Sequence, residues 1–246
     1  MLFRDSASVP ELLLLRRPEH VSFGGAWVFP GGGVEADDRH TGFAELCGAD
    51  PEQRARQRLS ADADGLCWWI AAVRELFEET GIALFRHASP GAELNDARHA
   101  LLAGDVSFSD LSMANNWTFN LERLNYHSYW VAPDWVSPRY ATRFFVARLP
   151  EGQDCQTDGE ESLEHRWLQP DEALAGQDAL KLPRPTAENI ASVACYKTMD
   201  ELLQGTADGQ PAPVMWPRQV DGELVLEADL AQLKNLSVRL PGTKSD

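Results

Sequence analysis

Residues 74–82 read Arg74-Glu75-Leu76-Phe77-Glu78-Glu79-Thr80-Gly81-Ile82. Glu75, Glu78 and Glu79 stand at positions i, i+3 and i+4. On a helix such residues share one narrow face, because positions three and four apart are neighbours. Like charges so placed repel by roughly a few tenths of a kcal/mol per pair. Two readings follow. The face gathers oxygen ligands for a hard divalent cation, or it is the solvated acidic side of an ordinary amphipathic helix.

The helix that must position these groups is well specified. Ile70, Val73, Leu76, Phe77 and Thr80 recur at helical period on the opposite side, so the pattern predicts a helix over 67–80. Gly81 stands where a left-handed C-terminal cap is needed. Upstream, Trp27-Val28-Phe29-Pro30 runs into Gly31-Gly32-Gly33-Val34-Glu35. Glycines allow positive φ and close approach of backbone to a ligand or ion, although a purely structural turn uses the same residues.

Taken together, the two segments resemble the signature of the Nudix hydrolase family. That signature is Gly, five residues, Glu, seven residues, then Arg-Glu-aliphatic-x-Glu-Glu-x-Gly-aliphatic. Arg74 to Ile82 match its second half at every specified position. Its first half starts at Gly32 and reaches Asp38, where the family usually has Glu. Residues 39–73 occupy the place of seven, an interruption of about 28 residues. Closing a loop of that size costs little, because the entropy grows only with the logarithm of length. A short helix is expected within the interruption near Pro51–Leu59.

An interrupted box resembles the family branch that includes the peroxisomal coenzyme A diphosphatases. Further segments are similar to that branch: Leu12–Arg17, Phe23–Gly32, Arg139–Ala147, Glu161–Leu168 and Leu182–Thr186. The resemblance implies an α+β fold, the Nudix αβα sandwich with a central mixed β-sheet. It implies a single domain over 1–205 with an insertion at about 39–66. Residues 206–246 are expected as a C-terminal extension packed on the same domain.

The resemblance also implies roles. Glu78 and Glu79 are metal ligands for Mg²⁺ or Mn²⁺, with the Gly31 carbonyl as a further ligand. Glu75 is a ligand or the group that assists water, and Arg74 orients it. Asp38 takes the place of the first box Glu. One more carboxylate is expected from the loop before a late strand, with Glu161 preferred over Asp158, Glu160 and Glu164. Arg16, Arg139 and Arg143 are candidates for phosphate contacts, beside Arg17. Trp27 is a candidate for stacking on a base, with Trp117, Tyr126, Trp130 and Trp135 as others. Arginines and aromatics of this kind also serve as ion-pair and core residues.

Composition bounds the rest. A net charge of −16 argues against long nucleic acid, whose binding depends on phosphate neutralisation by Lys and Arg, and against an anionic membrane surface. A small anionic nucleotide-diphosphate substrate stays open, since a metal and a few arginines can reverse the field within one cleft. No apolar stretch approaches the roughly 18 residues of a membrane span. Met1–Asp5 runs directly into strand-like sequence, so no signal peptide and a cytoplasmic location are expected. Cys47, Cys67, Cys155 and Cys195 are widely spaced, which suggests reduced thiols, with Cys67 and Cys195 as small core residues. The insertion and the 206–246 tail are surfaces that a homodimer could use.

Strands are predicted at 2–4, 11–17, 26–29, 82–86, 126–133, 141–149 and 164–168. Helices are predicted at 67–80, 93–104, 170–176 and 187–204, the last with Thr186 as N-cap, and a terminal hairpin around Asp221-Gly222. Three functions are compatible with the sequence. The first is a metal-dependent hydrolase cleaving the diphosphate of coenzyme A or acyl-CoA. The second is a diphosphatase for ADP-ribose, NADH or another nucleoside diphosphate derivative. The third is a non-catalytic nucleotide-binding module, against which the intact Arg74, Glu75, Glu78 and Glu79 speak.

Overall fold

The chain was analysed as a computed structural model, which describes residues 1–21, 23–51, 65–87, 91–132, 140–157, 159, 162–208, 212–220 and 223–228. Four consecutive leucines, Leu12–Leu15, form the middle of strand β2 (Glu11–Arg16), and all four are buried. Side chains alternate across a strand. Leu13 and Leu15 therefore enter one core, and Leu12 and Leu14 enter the other. An unbroken apolar run is what a strand covered on both faces requires.

The sheet is built around β2. Strand β1 (Leu2–Arg4) pairs antiparallel with its start, and β3 (Trp27–Val28) pairs with its end. Strand β8 (Glu164–Leu168) takes the opposite edge of β2, with Arg16 across from Glu164. Beyond β1 lies β7 (Ala141–Arg148), parallel to it, then β6 (Asn125–Val131), antiparallel to β7. Strands β9 (Ala212–Val220) and β10 (Glu223–Ala228) extend the sheet from β6, giving a mixed eight-stranded sheet. The expected hairpin is present as these two strands, while residues 221 and 222 fall outside the described residues.

Helices cover both faces. On one side α2 (Leu66–Thr80) buries Trp69, Ile70, Val73, Leu76 and Phe77 against Leu13, Leu15, Phe145 and Ala147. On the other, α5 (Pro170–Ala175), α6 (Arg184–Val193) and α7 (Met199–Asp208) place Ala173, Ile190, Val193 and Leu202 against Leu12, Leu14 and Val146. This is the expected αβα sandwich. Beside α2 sits a smaller layer: helix α1 (Phe43–Leu46), strand β4 (Phe85–Arg86), helices α3 (Gly91–Leu102) and α4 (Phe108–Ala114), and strand β5 (Thr118–Phe119), which pairs with β4. Its aromatic rings interlock. Phe85 stacks on Trp117 at 4.3 Å between centroids, and Phe77 meets Phe85 edge-on at 5.3 Å. Phe43, Phe108 and Phe119 close the group.

Several local expectations need correction. The predicted helix 187–204 is two helices, because Thr198 and Glu201 start a new one. The Glu201 carboxylate accepts from the Lys197 and Thr198 amides at 2.8 and 3.2 Å, and the Glu201 amide donates to Thr198 Oγ1 at 3.2 Å. That is a capping box, whose reciprocal bonds satisfy free amides at a helix start. Thr186 lies within α6, whose N-cap is Pro183. The predicted strand 82–86 shrinks to β4, since Ala83 bonds through both its amide and its carbonyl to the Gln153 side chain. Helix α4 was not predicted, although Ser107 caps it by accepting from the Asp110 amide at 3.0 Å. Cys195 is exposed, unlike Cys67, and all four cysteines are thiols outside any disulfide. The short helix expected near Pro51–Leu59 falls almost wholly outside the described residues.

Phe77 belongs both to α2 and to the aromatic group, and it is 1% exposed. Truncation leaves a cavity that neighbours fill incompletely. Phe77→Ala is expected to lower unfolding free energy by about 3–5 kcal/mol in urea titrations. A loss below about 1 kcal/mol would show that the aromatic layer is not packed as described.

Candidate active site

The acidic face of α2 is organised by one arginine. The Arg74 side chain is 3% exposed. Its Nε and Nη2 donate to the two oxygens of Asp38 at 2.9 and 3.0 Å. Nη2 also donates to the Gly33 carbonyl at 2.8 Å. Nη1 donates to Glu75 at 3.0 Å and to Glu78 at 2.8 Å. A guanidinium presents five donors in a fixed fork, and this arrangement draws on all three of its nitrogens. Thus Asp38 and Gly33, before the interruption, meet Glu75 and Glu78, after it, through a single side chain.

The glycine loop closes over the same face. The Gly31 amide donates to Glu79 Oε2 at 2.9 Å, and Gly31 has φ 150°, a conformation that side chains with a Cβ rarely adopt. At Gly32 an added Cβ would overlap the Glu75 carboxylate and displace it from its present position. Asp37, Asp38 and Arg39 form a 3₁₀ turn. Asp37 accepts from the Ser109 amide at 2.9 Å, which fastens the turn to α4. The Glu35 amide donates to Asp38 at 2.7 Å. Asp38 is 2% exposed and its carboxylate is consumed by Arg74 and this amide. It works as a latch between the two halves.

Charge at the site is out of balance. Asp38, Glu75 and Glu78 contact Arg74, with Glu35 at 4.0 Å from it. Burial opposes the charge of Arg74, but Asp38, Glu75 and Glu78 outweigh it and hold its proton more firmly than usual. Burial raises Glu75 to about 7; Arg74 opposes the shift, and Glu78 and Asp38 reinforce it. Burial also raises Glu78, again against Arg74, with Glu35 and Asp38 adding to the rise. One cation does not neutralise this group.

That imbalance tests whether a divalent ion fits. Carboxylate and carbonyl oxygens are the donors that Mg²⁺ and Mn²⁺ take, and three carboxylates, Asp38, Glu75 and Glu78, share the one guanidinium of Arg74. Among the described residues, no three His, Cys, Asp or Glu side chains are gathered as a finished metal cage. Arg74 and the Gly31 amide hold the carboxylate oxygens instead. The donor chemistry fits the ion, and Glu75, Glu78 and Glu79 with the Gly31 carbonyl are the groups that would hold it.

Other predicted residues take different places. Arg16 lies at the end of β2 and pairs with Glu164 at 2.9 Å and Glu19 at 3.1 Å. Arg143 is held between Trp68 and Tyr129, its guanidinium carbon 3.9 and 4.3 Å from the ring centres. Trp68 sits near the start of α2, about 15 Å along the axis from Glu78 at 1.5 Å per residue, so Arg143 is not at the acidic end. Trp27 is 4% exposed, lies in the core beneath Arg166 and offers no free face for a base. Trp117 and Trp130 are likewise buried. Arg139, Glu161, Asp158, Glu160 and Trp135 lie outside the described residues. A groove of about 1110 Å³ lined by Arg4, Arg123, Arg148, Gln153 and Leu203 includes none of the box carboxylates. The sequence reading missed Ser109, and it missed Arg98, which donates to the Glu78 carbonyl at 3.0 and 2.8 Å. Neither stands in a local pattern that marks it.

The sandwich and the joined glycine loop and helix define the class: the chain has the fold of the Nudix hydrolases. A solved Nudix hydrolase from Alicyclobacillus acidocaldarius shares the fold with a TM-score of 0.64 at 24% identity, over 85% of this chain and 94% of that one. The chain is also similar to the acyl-coenzyme A diphosphatase NUDT19 of Homo sapiens, 26% identical over 243 residues, covering 78% of this chain and 62% of that protein. The Xenopus laevis protein of the same name is 24% identical over 247 residues, covering 81% and 63%. The chain thus spans less than two thirds of the length of these curated relatives. No family model matches the chain.

The Glu75 shift has a signed consequence for stability. Folding raises its pKa from 4.5 to about 7, so the folded state binds the proton more tightly than the unfolded state. The stabilisation is full below pH 4.5 and is lost as pH rises through 7. In metal-free buffer, the stability of the wild type relative to Glu75→Gln is expected to fall between pH 5 and pH 7.5. A difference that stays constant over this range, measured by denaturant titration, would contradict the assigned environment.

Proposed function

We propose that the chain is a divalent-metal-dependent hydrolase that cleaves a diphosphate linkage, with coenzyme A or an acyl-CoA as substrate. The observation that carries the reaction type is the convergence of Asp38, Gly33, Glu75 and Glu78 on Arg74. It joins the interrupted box into one acidic site. The choice of substrate is supported by the interruption and by the similarity to proteins named acyl-coenzyme A diphosphatases.

When bound, Mg²⁺ or Mn²⁺ would neutralise phosphate charge and acidify water. The chain's own groups would do the rest. Glu78 and Glu79 project from consecutive positions of one helical turn and would supply carboxylate oxygens. The Gly31 loop, held to Glu79 through its amide, would bring its carbonyl to the same place. Glu75, poised near neutrality by burial, would accept the proton of the attacking water. Arg74 would keep Glu75 and Glu78 in position. Glu161 is the proposed further carboxylate, and Arg16 and Arg139 the proposed phosphate contacts.

Coenzyme A, acetyl-CoA, ADP-ribose, NADH and dNTPs should be incubated with the protein and Mg²⁺ or Mn²⁺, with products identified by mass. Cleavage of the coenzyme A compounds to a 3′,5′-phosphorylated adenosine and a phosphopantetheine is expected. ADP-ribose turnover without coenzyme A turnover would overturn the substrate assignment. Nucleotide binding without turnover would favour the non-catalytic reading. Glu78→Gln should lower turnover by at least about a hundredfold, the lower end of what a positioned acid–base group contributes. An active Glu78→Gln protein would refute the assignment of Glu78.

A further inference from the structure

Helix α2 ends with an unsolved polar demand. The chain leaves the helix at Gly81, whose amide bonds the Phe77 carbonyl at 2.8 Å and whose φ is 71°. In a continuing helix the Glu78 carbonyl would accept from the Ile82 amide. That amide turns instead to Thr80 Oγ1 at 3.2 Å. Thr80 Oγ1 in turn donates to the Leu76 carbonyl. The Glu78 carbonyl is left at a buried helix end, where an unmet acceptor is costly.

Arg98 of α3 meets that demand. Its Nε and Nη2 both donate to the Glu78 carbonyl, at 3.0 and 2.8 Å. The residue is only 5% exposed, and among the described residues few charged side chains outside the box are buried so completely. Its Nη1 lies 3.2 Å from the point that a Cβ on Gly81 would occupy, so the glycine cap also makes room for the guanidinium. A cation here also faces the negative end of the helix dipole. Glu78 is therefore fixed at both ends, with its carboxylate on Arg74 and its carbonyl on Arg98.

We propose that Arg98 is a positioning residue for the metal-binding carboxylates. It sets the last turn of α2, and with it the direction in which Glu78 and Glu79 project. This inference rests on the reading of those two groups as metal ligands. Arg98 comes from α3, outside the box, and bonds the backbone of Glu78.

The test measures Mn²⁺ affinity by electron paramagnetic resonance on the full chain, for wild type, Arg98→Lys and Arg98→Met, beside their thermal melts. Loss of a group that orients a metal ligand typically weakens metal binding by about tenfold to a hundredfold, and that loss is expected for Arg98→Met. Lys keeps the charge but not the two-pronged donor, so Arg98→Lys should bind Mn²⁺ less tightly than wild type and more tightly than Arg98→Met. In turnover, kcat should fall while KM for the diphosphate substrate changes little. Should Arg98→Met fail to fold, the comparison of wild type with Arg98→Lys decides. Equal Mn²⁺ affinity in wild type and a folded variant overturns the role of Arg98. A wild type that binds no Mn²⁺ overturns the metal reading itself, and the two failures are thereby distinguished.

Discussion

A guanidinium is costly to bury unless its charge and its donors are met, and Arg74 is buried. Removing one partner of such a group leaves uncompensated charge, at about 3–5 kcal/mol. Asp38, Glu75, Glu78 and the Gly33 carbonyl are therefore held together by a shared requirement. The segments they come from are separated by residues 39–73, so the join is made in space. The same contact leaves carboxylates in excess over positive charge, and burial lifts Glu75 to about 7. A structural tie thus produces a chemical demand for a cation.

The rest of the fold serves that contact. The doubly covered strand β2 fixes β3, and β3 delivers the glycine loop. Packing of Trp69, Ile70, Val73 and Phe77 against the sheet fixes the rotation of α2, so that Glu75, Glu78 and Glu79 face the loop. The smaller aromatic layer then holds the site from the side. Ser109 fastens Asp37, and Arg98 fastens the end of α2. Each half of the interrupted box has an anchor on this layer, and both anchors, Ser109 and Arg98, lie in sequence after the box.

Local chemistry was legible in the sequence where the demand is local. The periodicity of α2, its stop at Gly81 and the apolar strand through Leu12–Leu15 were all visible. The capping box at Thr198 and Glu201 was visible in principle, but an apolar pattern running through it read as one helix. Roles that depend on distant partners were not legible. Trp27 and Arg143 are of types that serve equally in cores and in sites, and only the stacking of Arg166 on Trp27, and of Trp68 and Tyr129 around Arg143, fixes their positions. Arg98 carries no periodic signal, because the Glu78 carbonyl that it bonds lies twenty residues away. Asp38 occupies the box position expected from the pattern. Its function as a latch follows from its two bonds to Arg74.

The account is tested most directly by anomalous scattering from crystals grown with Mn²⁺. A Mn²⁺ peak in contact with the Glu78 and Glu79 carboxylates, beside the Gly31 loop, is the predicted result. Saturating Mn²⁺ with no peak at these carboxylates, or a peak only at some other part of the molecule, would contradict it.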